Sequence, residues 1–123
     1  MSRNETIENY LESVLILSET KNPIRAIDIA DYLSFSRPTV SIALKQLSAD
    51  GYITINNNNI SLTKEGLKIA SKMYERHRLI GKLLIHLGVE ENQAYEDACL
   101  IEHDISSESF NALKKLTEDL NIK

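Results

Sequence analysis

The sequence predicts a mainly α fold interrupted once by a small β-hairpin. Apolar residues recur three and four positions apart over most of the 123 residues, the spacing that lines one face of a helix. One stretch, from Tyr52 to Leu62, alternates instead and carries β-branched residues. Breakers are scarce, and Pro23, Gly51 and Gly88 fall between the periodic segments.

Taken in order, Ile7, Leu11, Val14 and Leu17, with Tyr10 beside them, give a first helix ending near Glu19. Lys21-Asn22-Pro23 breaks it. Ile24 to Leu33 forms a short second helix with Ile27, Ala30 and Leu33 on one face. Ser36 is a good N-cap for the third, because its hydroxyl can accept an orphan backbone N–H. Pro38 falls in the first turn, where its missing N–H costs nothing. Val40, Ala43, Leu44 and Leu47 carry this helix to a stop at Gly51. Tyr52 to Ile55 and Ile60 to Leu62 are the two strands. The tip is Asn56 to Asn59, since Asn tolerates the left-handed backbone of a tight turn. Thr63 caps a long helix with Leu67, Ala70, Met73, Tyr74, His77, Ile80, Leu84 and Leu87 along it, ending at Gly88. Glu91 to His103 is another helix, and Ser106 or Ser107 begins a last one with Phe110, Leu113, Leu116 and Leu120. The expected fold is therefore an N-terminal winged helix-turn-helix with a small hairpin wing, residues 1–63, followed by a helical domain, residues 64–123.

Composition excludes several classes. Apolar residues make up 42% and charged residues 26%, a globular and not a disordered balance. The longest apolar run, Val14 to Leu17, is far too short to cross a bilayer, and no signal-peptide pattern opens the chain. A single cysteine, Cys99, rules out an internal disulfide and leaves a buried small residue, a nucleophile or a ligand. A soluble, cytoplasmic protein without membrane partners is expected. The net charge of −4 argues against a general polyanion binder but hides a pattern. Lys64 to Lys82 holds six basic residues against two acids, while Glu90 to Glu108 holds seven acids and no Lys or Arg. Most such charges are simply solvated helix faces. An acidic block beside His and Cys is also what a cation site needs.

Three helices followed by a hairpin is the plan in which the third helix enters the major groove and the wing lies along the backbone. The third helix offers Ser36, Arg37, Pro38, Thr39, Ser41, Lys45 and Gln46 at or near its groove-facing side, and Ile42 suits a thymine methyl. Asn57 and Asn58 at the wing tip would give neutral, weak phosphate contacts. The plainer reading is a three-helix core with a polar outer face. The hairpin and the Arg-bearing third helix favour double-stranded DNA as the partner.

Cys99, Glu102 and His103 stand at i, i+3 and i+4, one face of a helix, beside an apolar stripe of Ala94, Ala98, Ile101 and Ile105. Thiolate, carboxylate and imidazole together suit a divalent transition metal and not Mg or Ca. Alone, such a triplet is weak evidence. His77 within an apolar stripe usually means a satisfied core histidine. Glu8, Asn9 and Glu12 sit together off the apolar face of the first helix, where solvated charge is the ordinary reading.

Four segments change that weighting. Glu8 to Glu12, Ser36 to Ser41, Arg76 to Leu79 and Asp97 to His103 resemble, in order and over nearly the whole chain, the family of the diphtheria toxin and manganese transport repressors. The resemblance implies a homodimer, a palindromic operator, no small organic substrate and no enzymatic activity. It implies metal ligands at Asn9, Glu12, His77, Cys99, Glu102 and His103, with the metal linking the first helix to the dimerisation helices. It also implies control of metal-uptake genes. The chain stops after its last helix and so resembles the two-domain manganese type. Cys99 matches the iron type, Glu12 and His77 match the manganese type's pair, and Asn9 matches neither. Gly81 and Tyr95 replace residues that ligate the iron type's ancillary site. Thiolate softness tilts the expected cofactor to Fe(II), with Mn(II) close behind. The rival expectation is a winged-helix regulator that senses a redox or electrophile signal through Cys99 without metal.

Overall fold

The structure is a computed structural model and describes residues 3–122; the outer bounds expected for the two domains, residues 1 and 123, lie outside it. In chain order it contains α1 (Arg3–Ser18), α2 (Ala26–Leu33), α3 (Arg37–Ala49), β1 (Ile53–Asn56), β2 (Asn59–Leu62), α4 (Lys64–His86), α5 (Glu91–Ile101) and α6 (Ser107–Asp119). Two compact units divide it, Met1–Lys72 and Met73–Lys123. No helix among the described residues is long and apolar enough to cross a membrane.

The first unit closes α1, α2, α3, the hairpin and the first turns of α4 around one core. Leu11, Val14, Ile29, Val40, Leu44, Ile53, Ile60 and Ala70 are all buried in it. Ser36 caps α3 as its sequence position requires: its Oγ accepts the Thr39 N–H at 3.3 Å. The strands pair antiparallel from Ile53↔Leu62 to Asn56↔Asn59, so Asn57 and Asn58 form a two-residue turn. Both have left-handed φ, 51° and 66°, which is what this turn demands of its central residues. The wing is tied to the loop before α2. The Ile60 N–H donates to the Ile24 carbonyl at 2.8 Å, and the Ile24 N–H donates to Asn59 Oδ1 at 3.1 Å. These bonds take Ile24 and Arg25 out of the second helix, which starts at Ala26 and not at Ile24.

The unit boundary falls inside α4. Its first turns belong to the first unit because Gly66 packs under the Tyr52 carbonyl, where a Cβ would stand 2.0 Å from the oxygen. The second unit consists of the rest of α4 with α5 and α6. Met73, Ile80, Ala94, Ala98 and Phe110 are buried there. The α5 helix ends at Ile101, short of the expected His103; Glu102 is its C-cap and residues 102–104 form a turn.

Candidate metal centre and nucleic-acid interface

In the second unit, α4 and the end of α5 bring a carboxylate and two imidazoles together. Glu102 is fully buried, and its Oε2 lies 3.1 Å from His77 Nδ1. Its Oε1 lies 3.4 Å from His103 Nε2. Solvating a carboxylate in water is so favourable that complete burial requires opposite charge or several hydrogen bonds in exchange. The Tyr95 ring stacks on His77 with centroids 5.3 Å apart. It occupies the room left by Gly81, where a Cβ would stand 2.3 Å from the ring. His77 is thus gripped on one face by an aromatic ring and bonded at Nδ1.

The buried stripe of α5 is Ala94, Ala98 and Glu102, at i, i+4 and i+8. The expected stripe through Ile101 and Ile105 is displaced by one position: Ile101 is 39% exposed, and Ile105 lies beyond the helix. Cys99, expected on the same face as Glu102, is exposed while Glu102 is buried. The cause is helical register: Glu102 keeps helical backbone angles and follows Ala94 and Ala98 inward, while Cys99, one residue after Ala98, falls off that stripe. Cys99 is accordingly not a buried small residue.

In the first unit, Glu12 lies on α1 and is 4% exposed. It falls within an unbroken buried run, Tyr10 to Val14, and so does not carry the solvated charge that its spacing suggests. Asn9, one turn earlier, is partly buried. Imidazole and carboxylate donors of this kind fit a divalent transition metal held by oxygen and nitrogen.

The first unit also holds the candidate nucleic-acid surface. Ser36, Arg37, Pro38, Thr39, Ser41, Lys45 and Gln46 are all exposed on α3, and Ile42 is 72% exposed in their midst. Gln46 Nε2 donates to Asp50 Oδ1 at 3.0 Å. Asn57 and Asn58 are exposed at the wing tip. Between α3 and the wing runs a groove of about 410 Å³ lined by Arg25, Arg37, Lys45 and Asn58 among others. Three cations without an acidic side chain in that lining make it suited to a phosphate backbone. Arg25 escaped the sequence reading; the signal for it was a lone Arg just after the Asn22-Pro23 break.

Comparison with known proteins finds a family match for each half of the chain. Residues 4–59 match the model of the iron-dependent repressor N-terminal DNA-binding domain, and residues 63–122 match that of the iron-dependent repressor metal-binding and dimerisation domain. The chain is similar to the transcriptional regulator MntR of Escherichia coli O6:H1, at 36% identity over 117 residues, 94% of this chain and 76% of that protein. It is also similar to an uncharacterized HTH-type transcriptional regulator of Methanocaldococcus jannaschii, at 32% identity over 98% of each. Among solved structures, the manganese regulator SloR matches with a TM-score of 0.79 and 32% identity over 96% of this chain and 55% of that one. The metal-dependent transcriptional regulator MtsR matches with a TM-score of 0.83 and 27% identity over 91% and 53%. The chain thus spans about half the length of those two structures.

Proposed function

The chain belongs to the iron-dependent repressor family of metal-dependent, DNA-binding transcriptional regulators, and from that premise we propose how its own residues do this work. The metal ligands of the second unit are His77, Glu102 and His103, and the family resemblance adds Glu12, Asn9 and Cys99 to the candidate set. The observation that carries this reading is the fully buried Glu102 carboxylate held between two imidazoles at 3.1 and 3.4 Å. The burial of Glu12 supports its inclusion, since a bound cation would offset the cost of desolvating that carboxylate.

Mn(II) is the ion we favour, with Fe(II) its competitor. The thiol was the reason to prefer Fe(II), and Cys99 is exposed where Glu102 is buried, so the inner donors are carboxylate and imidazole. SloR, a relative named as a manganese regulator, points the same way. When bound, the ion would supply positive charge that offsets the cost of burying the Glu102 carboxylate. His77 is held for this by Tyr95, and Glu102 by the end of α5.

The exposed face of α3 then reads an operator from the major groove, with Arg37 on base edges and Arg25 and Lys45 on phosphates. A homodimer must hold two such helices roughly 34–36 Å apart to read adjacent half-sites of a palindrome. Exposed Leu100, Ile101, Leu116 and Leu120 of the second unit are apolar surface that a second copy would cover. The genes controlled are those of metal uptake. A second reading, sensing through Cys99, has the exposure of that thiol in its favour.

The test is metal stoichiometry. Purified protein titrated with Mn(II) should bind it stoichiometrically, and Cys99→Ser should still do so. Absence of stoichiometric binding by Mn(II), Fe(II) and Zn(II) alike would leave the thiol reading in place.

A further inference from the structure

Arg76 precedes the ligand candidate His77 on α4, and it is 4% exposed. A buried guanidinium is costly unless its donors are satisfied; here Nε has no partner, while both terminal nitrogens converge on one short segment. Nη1 donates to the Glu102 carbonyl at 3.0 Å and to the Ile105 carbonyl at 2.7 Å. Nη2 donates to Ser107 Oγ at 3.2 Å. The guanidinium carbon lies 5.4 Å from the centroid of the Phe110 ring, a cation–π contact.

The acceptors span residues 102 to 107, the turn between α5 and α6. The last carbonyls of a helix have no partner within it and carry the negative end of its dipole. Glu102 is the C-cap of α5, so its carbonyl is one of these groups, and its side chain is the buried carboxylate. Arg76 therefore ties the backbone of Glu102 on one side while the Glu102 carboxylate meets His77 on the other. His103 lies within the same tied segment. Three donors in a rigid plane suit this task; a Lys, with one rotatable ammonium, could not reproduce it. A core with no task for the segment would be served at least as well by an apolar residue at this position.

We propose that Arg76 is a positioning residue for the metal site: it clamps the α5–α6 turn so that the Glu102 carboxylate is held against His77, with His103 beside its other oxygen, before an ion arrives. This rests on the metal reading given above. Pre-organised ligands bind more tightly because less ordering remains to be done on binding.

The test is titration of wild type, Arg76→Lys and the surface control Lys114→Met with Mn(II) at fixed pH. Low-temperature electron paramagnetic resonance reports the bound ion, and thermal unfolding reports the metal-free forms. The clamp predicts that Arg76→Lys keeps a cooperative transition, binds Mn(II) at least tenfold more weakly and gives a broadened spectrum, whereas Lys114→Met matches wild type. Arg76→Lys with affinity within twofold of wild type and an unchanged spectrum overturns the proposal. Should Arg76→Lys fail to fold, Ser107→Ala decides, because it removes only the acceptor of Nη2. A two- to fivefold weaker Mn(II) site then supports the clamp, and an unchanged one overturns it. A wild type that binds none of Mn(II), Fe(II) or Zn(II) overturns the metal reading and the clamp with it, which separates the two failures.

Discussion

Glu102 shows how a side chain's depth can invert its meaning. The spacing Cys99, Glu102, His103 names residue types that bind metals, but it does not say which of them faces inward. Ile101 and Ile105 look like the continuation of the apolar stripe in sequence, yet Glu102 follows Ala94 and Ala98 into the buried stripe and Ile101 is left exposed. The residue types of the candidate centre were therefore legible in the sequence, and the burial of Glu12 and Glu102 was not, because apolar periodicity cannot register a buried acid. A consequence can be measured. Glu102→Gln keeps the shape and removes the charge, so the metal-free variant should unfold at a temperature no more than a few degrees below wild type. Added Mn(II), which should raise the wild-type melting temperature by mass action, should leave the variant where it is. An equal metal-induced shift in both proteins would remove Glu102 from the ligand set. On the candidate DNA-binding face, Arg37 is exposed near the start of α3. Arg37→Ala should cost about 1–3 kcal/mol of discrimination between the operator and random DNA, read by competition binding. Equal losses on both would make Arg37 a phosphate contact.

The elements themselves were largely legible, for reasons that differ. The hairpin was clear because four consecutive Asn interrupt two alternating runs, and Asn57 and Asn58 adopt the left-handed backbone that such a turn needs. The start of α3 was clear because Ser36 and Pro38 are local signals that need no tertiary contact. The ends of α2 and α5 were misjudged because long-range bonds set them: Ile24 pairs with the wing, and Arg76 captures the carbonyl that closes α5. Two predictions belong to this scale. Gly66→Ala should destabilise the first unit by about 1–3 kcal/mol in chemical denaturation, since its Cβ would meet the Tyr52 carbonyl oxygen, which is backbone and cannot swing aside. A neutral substitution would mean that the start of α4 is loosely seated. At the start of α2, the Asp28 carboxylate accepts the Arg25 backbone N–H at 2.9 Å, with Lys21 nearby, and these hold its pKa below the usual value. A lowered folded-state pKa means that the contribution is present above the unfolded pKa, near 4, and is lost as pH falls through the folded value. Melting of wild type and Asp28→Asn should therefore differ at pH 6 and converge once the pH has fallen below the folded-state value.

At the scale of the whole molecule, the account couples two kinds of site carried by one chain: an exposed, cation-lined face on α3 and the wing, and a buried cluster of acid and imidazole. If the ion favours one arrangement of the DNA-binding units, then by linkage metal and operator must tighten each other's binding by the same factor. The resemblance legible in the sequence predicted both kinds of site. It could not predict the coupling strength, which depends on the free-energy difference between metal-free and metal-bound arrangements. The central claim is tested most directly by operator affinity with and without metal. An operator should first be selected from random duplexes in the presence of Mn(II), and its affinity then measured in excess Mn(II) and in chelator at one fixed salt concentration. The account predicts that chelator lowers operator affinity toward that for random DNA, a change of several kcal/mol, and that Glu102→Gln behaves like the chelated protein at any Mn(II) concentration. Operator affinity that is the same in Mn(II) and in chelator would contradict it.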